Sequence, residues 1–147
     1  MKYLFLLLFF GCNITEKIID NNYKSPSDIM QYVSQNIKYM KNSDKNRDRY
    51  FWQTPEETLK EKSGICADYV TLTAKLIHDN FGIKCDMALI NNRKHSVIYI
   101  PTVKKYYDCQ TAAETINPKI DKIIDYDKMM IYANTHNILQ CKLGASL

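Results

Sequence analysis

Glycine and proline are scarce in this sequence, with only four of each among 147 residues. That scarcity excludes collagen-like and low-complexity chains, and no internal repeat is present. The 20 lysines and arginines outnumber the 16 aspartates and glutamates, which gives a net charge of +4. The basic residues are scattered along the chain. Scattered basic residues are typical of a solvated surface, so no nucleic-acid partner is predicted. The length fits one domain with a core of ordinary size.

A long apolar run is also missing. The apolar segment at residues 3–10 follows Lys2 and is far shorter than the roughly 20 residues that a membrane-spanning helix needs. A positive start, a short apolar run and a small residue are typical of a secretory signal peptide, which we predict over residues 1–11.

The end of that signal carries a second feature. Gly11-Cys12 resembles the lipobox of bacterial lipoproteins, in which the cysteine is lipidated and becomes the new N-terminus, although Phe9 stands where leucine is common. We therefore predict a lipid on Cys12 and a polar tether over residues 12–26. The mature domain, residues 27–147, is then anchored to a membrane of the cell envelope, on its periplasmic or extracellular face. The alternative is an ordinary signal peptide with a coincidental cysteine.

No C-x-x-C pair is present, and the spacing of cysteines and histidines matches no common zinc pattern. A zinc site is therefore a weak interpretation, and we predict no metal ion and no cofactor. The cysteines are five, at positions 12, 66, 85, 109 and 141. If Cys12 carries lipid and Cys66 is a free nucleophile, three remain, which requires a further free thiol or an intermolecular link. Export from the cytoplasm, which the predicted signal peptide implies, permits disulfides.

Helix patterns occupy the first half of the mature domain. Ser27 is the predicted cap of a first helix, in which apolar residues recur at helical spacing. Residues 54–57 form a capping box with proline at the first helical position, which predicts a second, short helix. Residues 66–80 carry two adjacent apolar stripes, so this helix is expected to be central and packed on more than one side, with Gly82 ending it.

Strand patterns follow the helices. Residues 84–90, 94–100 and 104–110 are short candidate strands separated by turns, which predicts an antiparallel meander. The sequence after residue 111 is harder to assign, and residues 123–133 fit either a final strand or a short helix. Helices followed by a meander, with a central helix packed on the sheet, make an α+β fold.

Cys66 stands at the predicted start of the central helix. The partial positive charge and the free N–H groups of a helix N-terminus stabilise a thiolate. The same groups can hold the oxyanion that forms when a carbonyl is attacked. This position suits a nucleophile, but a single cysteine is more often a buried core residue. A nucleophilic cysteine also needs a base.

Three histidines are candidates for that base. His78 lies twelve residues further along the same helix, which is about 18 Å at about 1.5 Å per residue, and we interpret it and His136 as surface residues. His95 begins an apolar strand that could aim it at Cys66. Asp108 lies on the following strand, near enough to orient an imidazole. The alternative for Asp108 is a solvent-facing residue at the sheet edge.

Two motifs carry a family resemblance, namely WQTPEETL at residues 52–59 and G-x-C-x-D-Y at residues 64–69. Together with the order Cys66, His95 and Asp108, they resemble the core of transglutaminase-like proteins, especially the bacterial cysteine-peptidase branch. The resemblance spans roughly residues 50 to 110. It implies a papain-like core with these three residues as a catalytic triad, the nucleophile on the central helix and the other two on the sheet.

The resemblance also implies roles for other residues. Trp52 or Gln53 could donate a hydrogen bond to the oxyanion, as side chains before the nucleophile do in related folds; the alternative for Trp52 is a core residue. Asp68 matches an acidic position two after the family cysteine, and its plain role is a favourable first-turn charge of about 0.3–1 kcal/mol. The neighbours of Cys66 are apolar where many relatives are acidic, so the calcium site of some relatives is not expected. Ser96 stands where alanine is frequent.

The predicted function is hydrolysis or acyl transfer at an amide bond of a protein or peptide substrate, by a monomer. Cys66 attacks the carbonyl, His95 takes and returns the proton, and Asp108 holds the imidazole. Water as acceptor gives a cysteine peptidase or a deamidase, and an amine gives a transglutaminase. Peptide hydrolysis is preferred because the resemblance is peptidase-like. The alternative is a non-catalytic module that keeps the fold and binds protein or peptidoglycan.

Overall fold

A computed structural model describes residues 22–41, 44 and 51–136. The predicted signal peptide, Cys12, most of the tether and Cys141 lie outside these residues. The described residues form four helices and seven strands. The helices are α1 (Pro26–Asn36), α2 (Pro55–Glu61), α3 (Cys66–Phe81) and α4 (Tyr126–Asn134). The strands are β1 (Lys38–Tyr39), β2 (Ser63–Gly64), β3 (Asp86–Ile90), β4 (His95–Ile100), β5 (Lys105–Asp108), β6 (Ala113–Thr115) and β7 (Ile120–Ile124).

Helix α1 is capped by Ser25, so the prediction of Ser27 as the cap is wrong. The Ser25 hydroxyl accepts a hydrogen bond from the Asp28 N–H at 3.4 Å, and the Asp28 carboxylate accepts one from the Ser25 N–H at 3.0 Å. This reciprocal pair requires an acidic or amide side chain three residues after the cap. Ser25 has Asp28 at that position, whereas Ser27 has Met30. Pro26 then takes the first helical position, where its missing N–H costs nothing.

The capping box predicted for α2 is confirmed. Thr54 accepts a hydrogen bond from the Glu57 N–H at 3.2 Å, and Glu57 accepts one from the Thr54 N–H at 2.8 Å. The helix ends at Lys62, which has a left-handed conformation with φ of 52°. The chain then forms β2, which pairs in parallel with β1, so that Tyr39 lies opposite Gly64.

Helix α3 is the central element, as its two apolar stripes predicted. Residues 67–74 are all buried, and the helix packs against α1, α2, α4 and the sheet. It ends at Gly82, whose φ of 69° is in the left-handed region. Glycine adopts that conformation without the strain that a Cβ atom introduces.

The main sheet has five antiparallel strands in the order β6-β5-β4-β3-β7. Strands β3, β4 and β5 are the predicted meander. The ambiguous segment at residues 123–133 contains both of the alternatives, because it spans the end of β7 and most of α4. Helices α1, α3 and α4 share one large buried cluster with one face of the sheet. The other face carries a smaller cluster, and the fold is therefore α+β, as predicted.

Candidate active site

Cys66 is the first residue of α3. Its side chain is partly buried, and its thiol is free of any disulfide. The first N–H groups of a helix have no partner within the helix, and they carry the positive end of its dipole. The sulfur therefore lies where a negative charge is stabilised.

His95 and Asp108 meet at one end of the sheet. His95 begins β4 and Asp108 ends β5, and the antiparallel register that places Ile98 opposite Tyr107 brings these two ends together. The His95 Nε2 and Asp108 Oδ2 atoms are 2.8 Å apart. The Gln110 N–H donates to the other carboxylate oxygen at 2.8 Å. The carboxylate is thus held by its own loop while it orients the imidazole.

The N-terminus of α3 lies over this end of β4. The Cys66 Sγ and Ser96 Oγ atoms are 3.7 Å apart, and His95, the residue before Ser96, lies close enough to lower the pKa of the Cys66 thiol. The structure therefore brings together all three residues that the sequence proposed as a triad. Ser96, a polar neighbour of the sulfur, is a fourth residue at this site.

The charges of these groups support one another. Burial alone would raise the pKa of the Cys66 thiol, but hydrogen bonds with His95 and Ser96 and the positive charge of His95 outweigh it and lower the pKa below 9.0. Hydrogen bonds with Asp108 and Cys66 raise the pKa of His95 to about 10. The hydrogen bond with His95 lowers the pKa of Asp108. A thiolate paired with an imidazolium is the form these shifts favour near neutral pH.

Trp52 and Gln53, the two oxyanion candidates, donate to partners inside the domain. Both side chains are fully buried. The Trp52 indole N–H donates to the Thr71 hydroxyl at 2.9 Å, and the Gln53 amide donates to Glu61 at 2.7 Å. Because buried polar groups need such internal partners, the sequence position before the nucleophile was a poor guide to their role. The core interpretation of Trp52 fits the structure.

The remaining histidines lie at other places in the fold. The ring of His78 packs against Tyr126 with 4.9 Å between ring centroids. His136, interpreted from the sequence as a surface residue, stacks on Phe51 at 4.5 Å, and its Nδ1 is 2.7 Å from the Trp52 carbonyl oxygen. His136 therefore ties the end of α4 to the segment that precedes α2.

Tyr39 was missed by the sequence analysis. Through the pairing of β1 with β2, it lies opposite Gly64, two residues before Cys66. Its ring packs near Tyr69, and its side chain is partly exposed. Burial and the negative charge of Cys66 raise the pKa of the Tyr39 hydroxyl. A two-residue strand has no periodicity that a sequence pattern could have revealed.

The other two thiols in the described part of the chain suit the core rather than catalysis. Cys85 and Cys109 are free and buried, and burial raises the pKa of each thiol to about 12. Within residues 22–41, 44 and 51–136, no three His, Cys, Asp or Glu side chains are grouped so as to hold a metal ion. No helix within those same ranges is long and apolar enough to cross a membrane.

A cysteine, a histidine and an aspartate thus lie together at the N-terminus of a buried helix in an α+β domain. This arrangement is typical of the proteins to which transglutaminases are related. Residues 12–138 match the family described as transglutaminase-like domain, and the chain belongs to this family, which is part of an enzyme superfamily. A UPF0252 protein of Methanocaldococcus jannaschii is 41% identical to this chain over 70 residues. That match covers 43% of this chain and 20% of the relative.

Proposed function

We propose that the protein is a thiol enzyme that hydrolyses amide bonds in a protein or peptide, acting as a monomer with the triad Cys66, His95 and Asp108. One observation carries the proposal. At the N-terminus of α3, the sulfur is 3.7 Å from the Ser96 hydroxyl oxygen and lies beside the His95 imidazole, which is itself 2.8 Å from the Asp108 carboxylate. A nucleophile, its base and the group that orients the base are the three parts that covalent catalysis at a carbonyl needs.

The first half of the reaction forms an acyl-enzyme. The Cys66 thiolate attacks the carbonyl carbon, and the electron pair of the C=O bond moves onto oxygen. The Cys66 backbone N–H, at the first position of α3, holds that oxyanion. When the carbonyl reforms, the C–N bond breaks, and the His95 imidazolium gives its proton to the leaving amine.

The second half restores the enzyme. The neutral His95 takes a proton from water, and the resulting hydroxide attacks the thioester carbonyl. The C–S bond then breaks, the thiolate leaves, and the product is a carboxylic acid. Asp108 accepts a hydrogen bond from His95 in both halves, so that the imidazole keeps its orientation. An amine in place of water would give a new amide, and we choose water because the sequence motifs resemble those of the cysteine-peptidase branch.

The acceptor can be identified by isotope labelling. The full chain is incubated with a mixture of peptides in oxygen-18 water, with and without a primary amine, and the products are analysed by mass spectrometry. We expect new carboxyl termini that carry one heavy oxygen and depend on Cys66. Products that incorporate the amine instead would make the protein a transglutaminase, and peptide capture without any product would favour the binding module.

We also propose that lipid on Cys12 anchors the protein to a membrane of the cell envelope. Replacing Cys12 with alanine is expected to move the protein from the membrane fraction to the soluble fraction, because the acyl chains contribute about 0.8 kcal/mol for each buried methylene group. Fractionation followed by immunoblotting measures the shift, with Cys141→Ala as the control that stays bound. Membrane association of the Cys12→Ala variant equal to that of the control would contradict the anchor.

A further inference from the structure

A buried carboxylate stands two residues after the nucleophile, in the first turn of α3. Asp68 is the third residue of α3 and is completely buried. One of its oxygens accepts a hydrogen bond from the Ile65 N–H at 2.9 Å, and the other accepts one from the Gln53 N–H at 2.9 Å. Ile65 immediately precedes Cys66, and Gln53 immediately precedes the cap of α2. One side chain therefore ties the backbone that enters the nucleophile to the backbone that enters another helix.

Gly64 completes this arrangement. A Cβ atom on Gly64 would lie 2.7 Å from Asp68 Cβ and 2.9 Å from Asp68 Oδ2, which is closer than real contacts allow. The backbone of β2 therefore runs tightly over the carboxylate. On its other side, the Gly64 carbonyl accepts a hydrogen bond from the Met40 N–H at 2.9 Å. The peptide segment before Cys66 is thus fixed both by Asp68 and by β1.

We infer that Asp68 is a positioning residue for the reaction at Cys66, an inference that rests on the proposed function. By holding Ile65, its carboxylate sets the direction of the first peptide group of α3. That direction decides both the approach of the sulfur to His95 and the aim of the N–H that receives the oxyanion. A displacement of about 1 Å at a reacting group can lower a rate by roughly 100-fold.

A role through charge alone predicts the opposite effect. A negative group in the first turn of α3 opposes the formation of a thiolate nearby, so its removal would lower the pKa of Cys66 and speed alkylation. A role through position predicts slower alkylation, because the sulfur moves away from His95, which lowers its pKa, and the thiol pKa then rises. The two roles are therefore separated by the direction in which the thiol titration moves.

Asp68→Asn is the test variant. Its amide has a single oxygen, so it accepts one of the two N–H groups and presents its own NH₂ group to the other. We expect kcat to fall by about 10- to 100-fold with KM changed by less than about 3-fold, and we expect Cys66 to react more slowly with iodoacetamide near pH 7. The pH dependence of alkylation should shift to higher pH.

Asp28→Asn is the matched control. Asp28 is also the third residue of its helix, but a single one of its oxygens accepts two backbone N–H groups, from Lys24 at 2.8 Å and Ser25 at 3.0 Å. It lies in α1, outside the candidate site. Asp28→Asn removes the same first-turn charge while its amide oxygen can keep both hydrogen bonds, so we expect a small fall in melting temperature, with kcat and the alkylation profile of Cys66 unchanged.

Gly64→Ala keeps the carboxylate and is the second variant, in case Asp68→Asn does not fold. Its methyl group displaces Asp68, so the same fall in kcat and the same shift in alkylation are expected. Alkylation requires no substrate, so it tests the inference even if no amide substrate is turned over, an outcome that would count against the proposed function alone. Alkylation of folded Asp68→Asn at the wild-type rate, or faster, would overturn the inference.

Discussion

Replacing Cys66 with alanine is expected to abolish amide hydrolysis, with a fall in kcat of at least about 10⁴-fold. The reason is that Cys66 supplies the nucleophile of the proposed acyl-enzyme, whereas the neighbouring Ser96 side chain is buried. The protein should remain folded, because removing one partly buried sulfur atom costs on the order of 1 kcal/mol. Product formation is measured by mass spectrometry, and folding by circular dichroism and thermal unfolding.

Cys85→Ala is the control for this experiment. Cys85 is a fully buried thiol at the start of the sheet, and burial raises its pKa to about 12. Its loss is expected to lower the melting temperature and leave kcat unchanged. Turnover by Cys66→Ala close to that of the wild-type protein would show that the reaction proceeds elsewhere.

Replacing Asp108 with asparagine is expected to lower kcat by about 10³- to 10⁴-fold near neutral pH. The hydrogen bond with Asp108 is the largest cause of the raised pKa of His95, which is about 10. Without it, His95 becomes neutral at a lower pH and no longer stabilises the Cys66 thiolate, so the pKa of the thiol rises. An amide also leaves the orientation of the imidazole less well defined.

The pH dependence of kcat/KM should also change in a defined direction when Asp108 is replaced. In the wild-type protein, the proton that His95 gives to the leaving amine is lost as the pH rises through about 10, so kcat/KM should fall there. In Asp108→Asn, that alkaline limb should move to lower pH. Asp86→Asn is the control, because Asp86 also accepts a backbone N–H but from Tyr126, at the other end of the sheet. An unchanged alkaline limb in Asp108→Asn would count against the assigned role of Asp108.

Local sequence patterns predicted the parts of the fold that local interactions determine. The capping box at Thr54 and the stop at Gly82 depend on residues close together in the chain, and both are confirmed. At α1 the prediction of Ser27 is wrong, because Asp28 stands three residues after Ser25 and selects it as the cap.

Non-local pairing was harder to predict. Strands β1 and β2 have two residues each and lie far apart in the chain, at residues 38–39 and 63–64. Strand β6 is exposed or half-buried and carries no apolar pattern. The assignment of residues 123–133 was ambiguous because β7 and α4 are separated by Asp125 alone. Such short elements depend on their neighbours in space, and a single sequence does not reveal them.

The candidate site divides in the same way. The residues Cys66, His95 and Asp108 could be chosen from their order and from the family motifs, and the structure brings them together. The oxyanion candidates Trp52 and Gln53 could not be judged, because their partners Thr71 and Glu61 lie 19 and 8 residues away along the chain. For the same reason, the second hydrogen bond of Asp68, with Gln53, was not foreseen.

The account depends most on the ionisation of one sulfur. The direct measurement is the rate of iodoacetamide labelling at Cys66 as a function of pH, followed by mass spectrometry in the full chain and in His95→Ala. The account predicts that the wild-type thiol titrates clearly below 9.0 and that His95→Ala raises its pKa and slows labelling near neutral pH. A thiol that titrates at or above that value, with the same labelling rate in both proteins, would contradict it.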